Sequence, residues 1–150
     1  MSKKSHKSCL VTLLIGVLLL VIGSGYLAFY QENKTLETAR MLDGKVRDPA
    51  WRDQFEKDFK PAFDQVIQGD QATSFERQAA LEPLLKQRFP DMSLFLFTRD
   101  GDEYAAKLFF GRACLAYVTA DPETHPHFIP SHQKVFSSYP RFFVLWHEWD

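Results

Sequence analysis

Four of the five histidines stand in the last quarter of the chain: His125, His127, His132 and His147. Asp121, Glu123 and Glu148 are their acidic neighbours. Imidazole binds zinc, copper or nickel, and a structural zinc site needs four such ligands converging on one point. On an extended chain, side chains two residues apart share a face. Pro126, between His125 and His127, favours extension there and is expected to set the two rings side by side. The spacing matches no metal signature, however, and the cluster lies among Pro122, Pro126 and Pro130. Solvated loop histidines are the simpler reading. His125, His127, His132 and His147 therefore define an alternative, a metal-binding or metal-sensing domain. A neutral-pH sensor at the same place is a further option that no residue favours.

Nucleophilic catalysis needs a nucleophile, a base and an orienting group within reach of one another. Ser131 beside His132 supplies two names and no geometry. Cys114 stands among Ala113, Leu115 and Ala116, where apolar surroundings raise a thiol's pKa and make it inert. Asp100 and Asp102 flank Gly101, an arrangement typical of turns. No glycine-rich phosphate loop and no G-x-S-x-G motif occur. An enzyme is not expected, nor is a cofactor.

The aromatic residues near the C-terminus offer a different chemistry. Tyr139, Phe142, Trp146 and Trp149 stand close together, and aromatic side chains dominate the binding energy of protein interfaces. They are the candidate partner-binding residues. The competing reading, that they fill the core side of a sheet, accounts for about half of them.

Residues 31–150 hold 15 of the 18 basic residues and all 19 acidic ones, a formal charge of −4. Such a balance argues against a nucleic-acid groove. Fourteen Phe, five Tyr and three Trp provide the volume for a real core, so such a composition argues against disorder. Cys9 and Cys114 are expected on opposite sides of a membrane, which rules out a disulfide between them.

The elements that must hold these residues begin with an uncharged run, Cys9 to Tyr30. Its 22 residues would span about 33 Å as a helix, enough for a hydrocarbon core of about 30 Å. Only a helix or closed barrel satisfies its backbone amides in lipid. Lys3, Lys4 and Lys7 precede it and Glu32, Lys34 and Glu37 follow. The positive-inside rule places residues 1–8 in the cytoplasm and the remainder outside it. A signal peptide cut after Gly25 is the rival reading, disfavoured because the apolar run continues to Tyr30. Ser24 and Ala28 form a small-xxx-small pair through which two copies could associate, although a monomeric anchor is the simpler expectation.

Residues 31–47 read as a helical stalk with a narrow stripe of Leu36, Ala39, Leu42 and Val46. Asp48 caps a second helix that opens with Pro49. Trp51, Phe55, Phe59 and Phe63 recur along one face of it, with Pro61 expected to kink or break it. Thr73 and Glu76 form a capping box for a third helix. That helix is expected to bury Phe75, Ala79, Leu81 or Leu84, Leu85 and Phe89, with a kink or restart at Pro83. Period-two patterning then takes over. A strand at 93–98 and a hairpin turn at Arg99–Asp102 come first, with Phe97 opposite Tyr104 if Asp100-Gly101 is the loop. Strands at 103–110 and 113–119 follow, separated by a break or bulge at Gly111-Arg112. An irregular stretch should run from Asp121 through Pro140, and a last strand from Arg141 to Trp149.

The expected fold is α+β: a transmembrane helix (9–30), a stalk (31–47) and an extracytoplasmic domain (48–150). In that domain about three helices pack on one face of a mostly antiparallel sheet of 3–5 strands. The expected function is a protein-binding module anchored by residues 9–30 in a bacterial inner membrane. It would face the periplasm as an accessory subunit of an envelope complex or an immunity-type inhibitor of a secreted toxin. Its partner would be another envelope or secreted protein and not nucleic acid.

Overall fold

The computed structural model describes residues 3–69 and 73–147, with side chains from 12 to 69 and from 73 to 146. Trp149, Glu148 and the side chain of His147 lie outside these residues. The chain divides into two compact units, residues 1–34 and 35–150.

The first unit is helical and belongs to α1 (Lys3–Arg47). Leu13 to Leu20, Ile22, Leu27, Phe29 and Tyr30 contribute its exposed large apolar side chains. The helix is long and apolar enough to cross a membrane, with an 18-residue window of mean hydropathy 2.3.

The second unit takes in the last turns of α1, then α2 (Pro49–Gln68), α3 (Ser74–Arg88) and five strands. These are β1 (Leu94–Asp100), β2 (Glu103–Phe110), β3 (Ala113–Val118), β4 (Gln133–Tyr139) and β5 (Phe142–His147). The sheet order is β1-β2-β3-β5-β4, and every neighbouring pair is antiparallel. The expected α+β layout is the observed one.

The amphipathic stripes explain how the helices sit. Ala39, Leu42 and Val46 are buried on one side of α1, as their spacing requires. In α2 the aromatic ladder turns inward. Phe55 lies 5.3 Å from Phe142 and 5.7 Å from Tyr117, and Phe63 lies 5.7 Å from Tyr104, measured between ring centroids. Asp48 accepts the Ala50 amide at 3.0 Å as the N-cap. In α3 the capping box is complete: Thr73 Oγ1 accepts the Glu76 amide while the Glu76 carboxylate accepts the Thr73 amide.

Several local expectations need correction. Neither proline breaks its helix, since α2 runs through Pro61 and α3 through Pro83. Pro61 and Lys57, whose carbonyl loses its amide partner, are both on the exposed side, where water replaces the missing bond. Phe75 is 78% exposed and Ala79 is also exposed, whereas Leu81, Leu85 and Phe89, four residues apart, are buried as expected. The first hairpin closes at Asp100↔Glu103, so its loop is Gly101-Asp102 and Phe97 faces Ala106. Gly101 has φ +61°, and no positive φ occurs at Asp102, the sign pattern of a type II′ turn. Phe97 and Tyr104 still touch, as diagonal neighbours with centroids 5.3 Å apart. Gly111-Arg112 is a second two-residue hairpin loop, with Gly111 at φ +67°.

The largest difference is β4. Residues 133–139, expected to be irregular, form an edge strand paired with β5. Its polar sequence, Gln-Lys-Val-Phe-Ser-Ser-Tyr, breaks alternation because the register shifts between Val135 and Ser137. That bulge moves the apolar positions out of period two. Pro140-Arg141 then forms the turn into β5, with Arg141 at φ +65°. Proline followed by a positive φ is the pattern of a type II turn.

Both faces of the sheet are covered. The helices bury one face through Phe95, Phe97, Tyr104, Leu108, Leu115, Tyr117, Phe142 and Val144. The other face holds Ala105, Phe109, Cys114, Ala116, Val118 and Leu145 beneath Phe128. Phe128 belongs to the long connection between β3 and β4, which crosses that face as a strap.

Candidate functional site

The four aromatic candidates take different positions. Phe142 is 1% exposed and its ring lies 6.1 Å from Trp51 and 5.1 Å from Tyr117. It is a core residue and cannot form a surface patch. Register explains this: Phe142 lies on the helix-covered face beside Tyr117, its partner in β3. Tyr139, opposite Phe142, is partly buried and packs against the same core. Its hydroxyl donates to Asp43 Oδ1 at 2.7 Å, and the Arg52 guanidinium lies over its ring at 5.3 Å. Trp146 is partly buried and opposite Lys134. Trp149 is outside the described residues.

Asp43 ties α1 to the β4–β5 hairpin. Its carboxyl is held below the usual value, first by the Ser137 hydroxyl, which faces it without meeting strict hydrogen-bond geometry, and then by Tyr139. Arg47 adds an ion pair at 2.8 Å. Arg52 donates to the carbonyls of Val46 and Arg47, satisfying acceptors that a helix C-terminus otherwise leaves open. This polar seam fixes the hairpin; it contains no group placed for catalysis.

The exposed large apolar residues of the folded unit are Met41, Phe75 and Leu84 on the helices, and Leu94, Leu96, Val135 and Phe136 on the sheet. Val135 is 51% exposed and Phe136 is 39% exposed, both at the bulge of edge strand β4. Val135 is opposite Leu145, one position from Trp146. Leu94 and Leu96 are half-exposed on β1, the other edge. The signal available in the sequence was Val135-Phe136 between polar residues, but its significance depends on β4 being an edge strand.

Two histidines are brought together. The His125 and His127 ring centroids are 6.0 Å apart, and both pack on Phe128, at 5.4 Å and 4.5 Å. They are not on an extended segment. Phe128 donates its amide to the His125 carbonyl, so His125 to Phe128 form a turn with Pro126 at its second position, where the fixed φ of proline fits best. His127 Nε2 lies 3.5 Å from Asp100 Oδ2. His132 is exposed. Among the described residues no group of three or more His, Cys, Asp or Glu is placed to hold a metal ion.

Other reactive groups are quiet or enclosed. Burial pushes the Cys114 thiol up to about 12, and the Tyr117 phenol to about 12. Tyr104 is raised as well, first by burial, and its hydroxyl donates to Asp64 Oδ1 at 3.1 Å. A cleft lined by Trp51, Gln54, Asp58, Phe59 and Arg88 has room of about 10 Å³, the space of one water. No family model, curated protein or solved structure matches the chain.

Proposed function

We propose that the chain is a single-span, membrane-anchored module that binds another protein outside the cytoplasm, facing the periplasm from a bacterial inner membrane. It would act as an accessory subunit of an envelope complex or as an immunity-type inhibitor of a secreted toxin. The charge distribution around the apolar run supports this orientation: three lysines precede it and no acidic residue does. A tether also raises the effective concentration of the domain for membrane-bound partners.

One observation carries the binding assignment. Strand β4 ends the sheet order and presents Val135 and Phe136 to solvent at a bulge. An edge strand is a template for added backbone pairing, and a flanking aromatic supplies an anchor for a partner's pocket. Phe136 and Val135 replace Phe142 as the centre of the proposed surface.

The test is mild crosslinking of the full-length chain in its native membrane, followed by purification and mass spectrometry. One stoichiometric companion is expected, and Phe136→Asp or Val135→Asp should remove it without loss of the folded domain. A folded protein with no specific companion, or one whose companion is indifferent to both substitutions, defeats the proposal.

A further inference from the structure

Among the described residues, the second face of the sheet contains a buried cation that no carboxylate neutralises. Lys107 lies at the middle of β2, opposite Ala116 of β3. It is 6% exposed. Among the described residues its ammonium has one hydrogen-bond partner, Gln133 Oε1 at 3.3 Å, and no carboxylate. An ammonium carries three donors, and buried cations are ordinarily paired. Burial pushes this amine below its usual value, the direction expected of a cation without a counter-ion.

The surroundings of Lys107 form a bed of small and apolar side chains. Ala105 and Phe109 are its same-face neighbours on β2, with Cys114, Ala116 and Val118 on β3 and Leu145 on β5. Ala105, Ala116 and Cys114 are the small residues of this bed, and Phe128, 0% exposed, belongs to the same buried cluster. Phe128 is the one fully buried side chain of the strap between residues 119 and 132.

The strap lies outside the strand ladder. Among the described residues, the backbone hydrogen bonds of residues 120–132 stay within the strap and its junction with β4. Thr124 and His125 donate to Asp121, Phe128 donates to His125, and Gln133 donates to Pro130. None joins the sheet ladder. Further holds include the Phe128 ring, the partly buried Ala120 and Ile129, and the 3.5 Å contact from His127 to Asp100. The segment can therefore lift without breaking a strand pairing.

We propose that the bed beneath the strap is a binding site for a carboxylate with an apolar tail. The tail takes the place of the Phe128 ring, and the carboxylate accepts hydrogen bonds from Lys107 beside Gln133. Phe128 is then an internal stand-in for the tail, and the strap is the cover that ligand binding displaces. The bed adjoins the β4 surface through Gln133 and Leu145, but the proposed ligand lies beneath the strap and does not use the exposed Val135 and Phe136.

The test uses the full chain in lipid nanodiscs and 3-phenylpropionate, whose benzyl group copies the Phe128 side chain. Equilibrium dialysis against empty nanodiscs corrects for partition into lipid. Phe128→Ala should bind one equivalent about tenfold more tightly than the wild type. The neutral 3-phenylpropanamide should bind about tenfold more weakly than the acid, and Lys107→Met added to Phe128→Ala should abolish that preference, as expected for a charge-assisted bond. Phe128→Val, a smaller cut, should show the same pattern at lower amplitude and serves if the alanine variant does not fold. Absence of saturable binding to a folded Phe128 variant overturns the proposal. Equal affinity for acid and amide, or an acid preference that survives Lys107→Met, overturns it as well.

Discussion

Asp43 and Lys107 are the two buried charges whose surroundings differ most. Asp43 is 8% exposed but receives a hydroxyl and a guanidinium, so its carboxyl stays ionised at a lowered value. A folded-state value below the unfolded one means that its stabilisation is full above the ordinary carboxylate range, about 4. That stabilisation is lost as pH falls through the lowered folded value. Asp43→Asn should therefore cost about 1–3 kcal/mol at pH 7, with the difference from wild type shrinking in acid, as urea melts at pH 7 and pH 3 would show. Lys107 works in the opposite direction. Its amine is lowered by burial, so the unfolded chain binds more protons and stability rises with pH up to the unfolded lysine value, about 10.4. Lys107→Met should raise stability by about 1 kcal/mol near neutral pH and flatten that rise. Chemical denaturation between pH 7 and 10 measures both effects.

At the scale of elements, α2 shows which sequence signals dominate. Its aromatic ladder was legible from spacing, and the structure buries Phe55, Phe59 and Phe63 where the spacing placed them. The proline at 61 does not break the helix because its penalty is local, whereas the ladder contributes along the whole helix. Pro61→Ala restores an amide at an exposed turn and should stabilise the domain by about 1–2 kcal/mol, the helix penalty less the entropy proline removes from the unfolded chain. Phe55→Ala should cost about 3–5 kcal/mol, since its ring meets Trp51, Phe59, Phe89, Tyr117 and Phe142. Thermal unfolding followed by near-UV circular dichroism ranks the two against wild type. Strand β4 was not legible. A bulge interrupts its period, and an edge strand needs no continuous apolar face, so Gln133 to Tyr139 carries few strand markers.

For the whole molecule, the decisive boundary lies within α1. Residues 35–47 contribute Ala39, Leu42, Asp43 and Val46 to the buried interior of the second unit. A chain of residues 35–150 should fold and remain in solution, whereas one of residues 48–150 should lose cooperative unfolding, because several buried side chains and the Asp43 seam go together. The full chain should resist extraction of membranes with alkaline carbonate, and the 35–150 chain should not. Comparing melting curves and fractionation of the three lengths tests both expectations, and a fully cooperative 48–150 domain would show that the α1 contacts are dispensable.

Local chemistry in the sequence was sufficient for the apolar helix, the helix caps at Asp48 and Thr73, the existence of strands near 93–98, 103–110 and 113–119, and the α+β class. Each of these depends on neighbouring residues: an uncharged run, a capping side chain, a glycine at a turn, a period of two or four. The candidate site was much less legible. Whether Phe142 is core or surface is set by its pairing with Tyr117, and whether Val135 and Phe136 are exposed depends on β4 ending the sheet. Lys107 reads as one polar residue in an alternating strand until the strap folds over it. These properties arise from contacts between residues far apart in the chain, so tertiary structure alone decided them.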